Sequence, residues 1–179
     1  MRLWKLGHVL LRVSDEETAR QFYCDILGLK LAEHDPVHGG LFTTLGGSFH
    51  TLDFARAPEQ AQKPSAGGLG LVHIAFQVEH YADLKDAYVA LINNGVKIDR
   101  ATDHENQRSI YFRDPDGNGL EIYYEFPCAL QVFPNGRNDV DEMLEVGGPG
   151  DPIPAWLDET WPGPELQARI DALQGAVAR

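Results

Sequence analysis

The sequence predicts an α+β fold made of two βαβββ modules, followed by a C-terminal extension. An internal repeat predicts the modules: the apolar stretch after His8 resembles the stretch after His73, at an offset of 65 residues. In each half, a helical pattern that ends at a glycine, Gly28 or Gly95, follows that stretch, and three extended segments come next. The expected boundaries are 1–126 for one domain, about 1–56 and 70–126 for its modules, and 127–179 for a Pro/Gly-rich acidic tail.

The first module is expected to begin with a strand that ends at Val13, and not with a signal peptide, because the N-terminus has no long apolar core. A helix should begin at Ser14. Ser14 and Glu17 have capping-box spacing, and acidic residues suit the positive end of the helix dipole. Gly28 should end that helix. Three strands are expected near residues 29–35, 40–46 and 48–55.

The second module should contain a helix from about Tyr81 to Asn93, and strands near 96–102, 108–113 and 119–126. In the tail, the acidic stretch 138–145 has little periodicity, so we expect this part to wrap the domain or to be partly disordered. The tail should end in a short amphipathic helix that packs on the domain or on a partner subunit. Its apolar residues are Leu166, Ile170, Leu173 and Val177.

Strand alternation places polar side chains on one face of each predicted sheet, opposite the apolar face that the helices cover. His8, His73 and Glu121 share this polar face, and the two histidines hold the same place in the two repeats. Two imidazoles and one carboxylate on one side of a metal form the facial triad of non-haem Fe(II) oxygenases. A buried Glu without a partner is costly, and a dication removes that cost. These three residues therefore predict a site for one divalent metal ion.

Four segments of the chain resemble the vicinal-oxygen-chelate superfamily, which includes glyoxalase I, bleomycin-resistance proteins and the type I extradiol ring-cleaving dioxygenases. They are His8–Val13, Phe22–Leu29, His73–Phe76 and Asp114–Glu121. The resemblance covers roughly residues 3–126. It implies two modules that form one incomplete barrel around a metal site. Within the superfamily, the chain is most similar to the one-domain extradiol dioxygenases.

The resemblance implies an enzyme that cleaves the ring of a small catechol-type diol with O2, at a metal bound by the three residues above. Fe(II) is the expected metal, and Mn(II) suits the same ligands. His50 matches the acid–base His of the family. Tyr111, ten residues before Glu121, and His104, two residues outside the register of the family, are the other expected catalytic residues.

Strand parity leaves the role of His50 open, because His50 shares the parity of the core-facing Leu52 and Phe54, while Asp53 faces the cavity. Either His50 lies before the regular strand, or a bulge resets the register, or Asp53 acts instead. Asp53 as a fourth ligand would give the glyoxalase I pattern, so a glyoxalase I-like isomerase or lyase is the alternative enzyme. A further alternative is a non-catalytic small-molecule binding protein of the same fold.

The composition restricts the partners of the chain. A formal net charge of -12 argues against nucleic acids and anionic membranes, which select Lys and Arg. No apolar run approaches the roughly 18 residues of a membrane span. The two cysteines, Cys24 and Cys128, have neither disulfide nor metal-binding spacing. We therefore expect a cytoplasmic homo-oligomer with small-molecule partners.

Overall fold

The computed structural model describes residues 1–35, 37, 39–65, 67–137 and 141–177. The chain divides into two compact units, and the fold class is α+β, as predicted. The first unit comprises Met1–Gly70 with Asp114–Asn118, and the second comprises Leu71–Arg113 with Gly119–Arg179. No helix within the described ranges is long and apolar enough to cross a membrane.

The first unit holds a four-stranded sheet in the order β1-β4-β3-β2. Strands β1 and β4 are parallel, and the other neighbours are antiparallel. The helix α1 continues into a π-helical segment before β2. The bounds are β1 Val9–Val13, α1 Glu16–Arg20, the π-helical segment Gln21–Ile26, β2 Lys30–His34, β3 Leu41–Thr44 and β4 Leu52–Arg56.

The start of α1 corrects the prediction by one residue. Asp15 is the N-cap, and its Oδ1 accepts hydrogen bonds from the backbone N and the hydroxyl of Thr18, both at 2.8 Å. Ser14 lies outside the helix, where its backbone N donates to Asp116. An ionised carboxylate accepts both bonds of Thr18 at once, which favours Asp over Ser as the cap. Gly28 ends the helical region with a φ of +80°, as predicted.

The second unit holds a five-stranded sheet in the order β5-β8-β7-β6-β9. Its first four strands and its long helix repeat the βαβββ connectivity of the first unit, again with a parallel pair, β5 and β8. The helix α2 lies where the apolar spacing predicts it. The bounds are β5 Ile74–Gln77, α2 Tyr81–Asn93, β6 Ile98–Asp103, β7 Gln107–Arg113, β8 Gly119–Glu125 and β9 Glu142–Leu144.

The tail is more ordered than its composition predicts. It contains α3 Ala129–Val132, the strand β9, a 3-10 turn Ala155–Asp158 and the predicted helix α4 Pro164–Val177. Ile170 of α4 is buried in a cluster with Phe126, Ala129 and Val132, and Leu166 and Leu173 pack against it. The tail helix thus packs on the second unit through its apolar face. Residues 138–140 of the acidic stretch and the side chain of Val177 lie outside the described residues.

The apolar faces of the two sheets are buried, as the strand alternation predicts. In the first unit, Leu11, Val13, Leu52 and Phe54 form this layer, with Tyr23 of the π-helical segment fully buried. In the second, the core layer comprises Leu84, Tyr88 and Leu91 of α2 with Ile110, Phe112 and Leu120 of the sheet. Each such side chain contributes about 1.5–3 kcal/mol on burial. The cores fix the strand faces, and with them the positions of the polar residues.

Candidate functional site

His8 and His73 hold the same structural position in their units, each one residue before a strand, β1 or β5. Two residues further on, Leu10 pairs with Asp53 on β4, and Ala75 pairs with Glu121 on β8. Asp53 and Glu121 are therefore equivalent in the two modules. This equivalence does not follow from the repeat in the sequence alone. The signal that finds it is a carboxylate in the fourth strand of each module.

In the second unit, His73 and Glu121 form a pair. His73 Nε2 lies 2.9 Å from Glu121 Oε2, and Gln107 Nε2 donates to Glu121 Oε1 at 3.1 Å. Glu121 is only 4% exposed. Both oxygens of this buried carboxylate therefore have a side-chain partner, while the His73 side chain remains 35% exposed.

Tyr111 lies beside this pair, because it is the direct neighbour of Glu121 across strands β7 and β8. Its ring meets the ring of His73 edge-on, with centroids 5.6 Å apart, and the Arg100 guanidinium lies 3.8 Å above the ring centroid. Burial, followed by the negative charge of Glu121, raises the pKa of Tyr111 to about 12. The hydroxyl thus stays protonated at neutral pH and keeps its hydrogen-bonding proton.

The hydroxyl of Tyr111 contacts His104, which directly follows β6 and begins the turn to β7. The distance from His104 Nε2 to the Tyr111 hydroxyl oxygen is 2.9 Å, and His104 Nδ1 lies 2.6 Å from Asp141 Oδ1. The motif match thus named His104 despite the register mismatch, and the structure places that residue beside Tyr111. It missed Asp141, because the tail around that residue carries no motif.

In the first unit, His50, Asp53 and His8 form a second cluster. His50 Nδ1 is 2.5 Å from Asp53 Oδ2, and His8 Nε2 is 3.9 Å from the same oxygen. The imidazoles of His8 and His50 stack with centroids 4.4 Å apart. His50 lies before β4 and therefore outside the regular strand. Its side chain can thus reach the cluster although it shares the sequence parity of the core-facing Leu52 and Phe54. Asp53, within β4, faces the same cluster.

The first-unit cluster fits a metal ion. One nitrogen or oxygen from each of His8, His50 and Asp53 lies within 4.8 Å of the others. Asp53 is 2% exposed, and its Oδ1 has no hydrogen-bond partner among the described residues. A buried carboxylate oxygen without a donor is costly, and a cation removes the cost. Nitrogen and oxygen donors of this kind suit Fe(II), Mn(II) or Zn(II).

The predicted ligand set takes His8 from the first unit, and His73 and Glu121 from the second. Within the first unit, His8 lies with His50 and Asp53, and within the second, His73 lies with Glu121. The set of three stays a prediction. The structure groups Asp53, which the sequence analysis left open as a fourth ligand, with His8 and His50 as residues that could hold a cation.

A family model described as the Glyoxalase/Bleomycin resistance protein/Dioxygenase superfamily matches residues 5–122 of the chain. A solved structure of a glyoxalase/dioxygenase from Nostoc punctiforme is similar to it, with a TM-score of 0.58, 25% sequence identity, and coverage of 68% of this chain and 91% of that one. The fold predicted from the repeat is therefore one that known proteins of this family adopt.

Curated relatives include enzymes of two kinds. The biphenyl-2,3-diol 1,2-dioxygenase 2 of Rhodococcus globerulus is 28% identical over 176 residues, which cover 88% of this chain and 92% of that protein. The metallothiol transferase FosB of Staphylococcus saprophyticus is 33% identical over 122 residues, which cover 66% of this chain and 75% of that protein. The similarity to the dioxygenase includes most of the C-terminal tail, whereas the similarity to the transferase spans about two thirds of the chain.

Proposed function

The chain belongs to the Glyoxalase/Bleomycin resistance protein/Dioxygenase superfamily, and we propose that it is a metal-dependent extradiol dioxygenase. In this reaction, O2 cleaves the ring of a catechol-type diol at the bond next to the two hydroxylated carbons. The relative from Rhodococcus is named for a cut between carbons 1 and 2 of a 2,3-diol, which is a bond of this type. The observation that carries the proposal is the contact of His73 with the buried Glu121 beside Tyr111, in a chain that aligns with 92% of that dioxygenase.

We propose His8, His73 and Glu121 as the metal ligands, with Fe(II) as the metal and Mn(II) as the alternative. A bound ferrous ion would supply open positions for the two catechol oxygens and for O2. The protein contributes the buried carboxylate, the two imidazoles and the fixed strand register that holds them. Supporting this choice, Glu121 is buried, and its nearest nitrogen is that of a repeat-related His.

His50 is the proposed general acid and base. Its Nδ1 contacts Asp53, so a neutral ring that donates Nδ1–H to that carboxylate leaves Nε2 free to accept the proton of a catechol hydroxyl. Asp53 then stabilises the imidazolium that results. The same Nε2 can return the proton when the ring opens. Tyr111, the neighbour of Glu121 across β7 and β8, is the residue proposed to position a substrate oxygen, and His104 contacts the Tyr111 hydroxyl.

A glyoxalase I-like isomerase is the second candidate, and one observation favours it. Asp53 has the register of Glu121, so the two modules offer two His–carboxylate pairs and hence four protein ligands. The 33% identity to a metallothiol transferase agrees with chemistry on a thiol adduct. Against this candidate, the imidazole in contact with Asp53 is that of His50, at 2.5 Å, whereas His8 Nε2 is 3.9 Å from the carboxylate.

One experiment separates the candidates: metal analysis of anaerobically purified protein, followed by an oxygen-electrode screen of substituted catechols. The dioxygenase proposal expects bound iron or manganese, oxygen uptake and a yellow ring-opened product. Turnover of a thiol–aldehyde adduct with nickel or zinc, without oxygen uptake, would instead establish the isomerase. Protein without metal that binds catechols and leaves them intact would favour the non-catalytic alternative. That the protein is a cytoplasmic homo-oligomer, as the sequence analysis expects, remains a prediction.

A further inference from the structure

The C-terminal tail places an acidic side chain next to a histidine of the candidate site. Strand β9 pairs antiparallel with β6, with Leu144 opposite Ala101 and Glu142 opposite Asp103. Continuing the same register by one residue sets Asp141 opposite His104. The carboxylate of Asp141 indeed lies 2.6 Å from His104 Nδ1. The pairing of β9 therefore determines which tail residue reaches this histidine.

The backbone around His104 is held firmly. His104 N donates to Gln107 O, and Asn106 N donates back to His104 O, both at 2.8 Å. Between them, Glu105 adopts a φ of +66°, in the left-handed region that closes this tight turn. With the backbone fixed and the side chain 11% exposed, the remaining freedom of His104 is the orientation and protonation of its ring.

Asp141 is in turn fixed as an anion by Arg137. Arg137 Nη1 donates to Asp141 Oδ1 at 2.7 Å and to His104 O at 3.3 Å. These contacts, the Arg137 bond first and the His104 bond second, lower the pKa of Asp141. An ionised carboxylate can only accept hydrogen bonds, so the proton of this contact must sit on His104 Nδ1. In a neutral imidazole, Nε2 is then an acceptor, and the Tyr111 hydroxyl 2.9 Å away is the donor.

We infer that Asp141 is a positioning residue: from the C-terminal tail, it holds His104 in the Nδ1–H form and thereby directs the Tyr111 hydroxyl proton to His104 Nε2. The oxygen of Tyr111 keeps its lone pairs on the side away from His104, where they can accept a hydrogen bond from a substrate hydroxyl. The tail thus contributes to the arrangement of the candidate site. For the role of Tyr111 toward a catechol, this inference rests on the proposed function.

The first test measures the tautomer of the His104 ring directly and does not depend on turnover. The 15N NMR signals of His104, assigned with His104→Gln, are measured in protein loaded with diamagnetic Zn²⁺. Wild type and Glu142→Ala, which removes a neighbouring exposed acid, should both show a protonated Nδ1 and an unprotonated Nε2. Asp141→Ala should shift the ring toward the Nε2–H form, and Asp141→Asn, whose amide oxygen still accepts, should recover part of the wild-type signal. The same tautomer in Asp141→Ala as in wild type would overturn the inference.

The second test reads catalysis with a catechol as substrate. Asp141→Ala should lower kcat by about 10- to 100-fold, the range for losing the partner that orients a site histidine, with little change in KM or in bound metal. Asp141→Asn should recover part of kcat, and Glu142→Ala should match wild type. A loss of kcat without a change of tautomer contradicts the positioning role. Wild-type protein that leaves catechols unchanged refutes the proposed function, while the NMR result still decides the role of Asp141.

Discussion

The His8–Asp53 pair of the first unit and the His73–Glu121 pair of the second have the same strand register but different surroundings. Glu121 Oε2 is 2.9 Å from His73, whereas Asp53 Oδ2 is 3.9 Å from His8 and 2.5 Å from His50. Glu121 is longer by one methylene, which helps it reach its histidine. The second oxygen of Glu121 is bonded to Gln107, while that of Asp53 has no partner within the described ranges.

This difference teaches that a repeat fixes where a carboxylate stands, and that its neighbours decide what it does. In the first unit, the neighbour is a second imidazole, which turns Asp53 into the partner of a proton carrier. In the second, it is an amide that donates to Glu121 and leaves His73 as the nearest nitrogen. Variants of the two pairs test this difference: it would be refuted if substitutions in both pairs had the same effect on bound metal and turnover.

The largest effect is expected for His73→Ala, which should remove bound metal and turnover together, because it deletes one of three proposed ligands. His34→Ala is the matched control. That exposed His lies on β2, at the far edge of the first sheet from β1, and its loss should leave metal and activity unchanged. Metal analysis with catechol kinetics gives both readouts. Full metal occupancy and turnover in His73→Ala would refute the ligand set.

His50→Phe should keep the metal but slow turnover by about 10²- to 10⁴-fold, the range for losing a general acid or base. Asp53→Asn should likewise keep the metal, because the account treats Asp53 as the partner of His50. Metal content and kcat of both variants sharpen the comparison between the two pairs. Normal turnover in His50→Phe, together with metal loss in Asp53→Asn, would favour the four-ligand isomerase instead.

Tyr111→Phe should reduce catechol turnover by about 10- to 100-fold. Its loss leaves the substrate hydroxyl without its hydrogen-bond acceptor, which costs about 1–3 kcal/mol for a buried polar group, and each 1.36 kcal/mol is about tenfold in rate. The metal content and the fold should be unchanged, because the ring still packs against Arg100 and His73. Tyr124→Phe, on the opposite face of β8, is the control and should match wild type. A rate of Tyr111→Phe equal to that of its control would make the hydroxyl purely structural.

Most of the fold could be predicted because its signals are local. The helix α2 lies at Tyr81–Asn93, as its apolar spacing and Gly95 predict. The N-cap of the first helix lies one residue later than predicted, since Ser14 and Asp15 are both good caps and only the bond to Thr18 distinguishes them. Strand β9 was missed, because a three-residue strand in an acidic stretch has no periodicity of its own and depends on pairing with β6.

In the candidate site, too, the residues marked by a local sequence pattern could be predicted, whereas those that depend on strand pairing could not. His8 and His73 could be found from the repeat, Glu121 from the motif Asp114–Glu121 that runs into the start of β8, and Tyr111 from its place ten residues before Glu121. The equivalence of Asp53 and Glu121 required the strand register, which the sequence does not state. The contact between Asp141 and His104 joins residues 37 positions apart through a strand that was not predicted. Contacts between residues far apart in the sequence, such as these, depend on how the strands pair in the sheet.

The most direct test of the central claim is the reaction of ferrous-loaded protein with a catechol under heavy-isotope dioxygen, followed by mass spectrometry of the product. The account predicts a ring-opened semialdehyde acid, formed with uptake of one O2 per catechol and carrying the heavy isotope in its new carboxyl group. Metal-replete protein that consumes no O2 and leaves the catechol intact would contradict the account, as would a product whose new carboxyl oxygen comes from water.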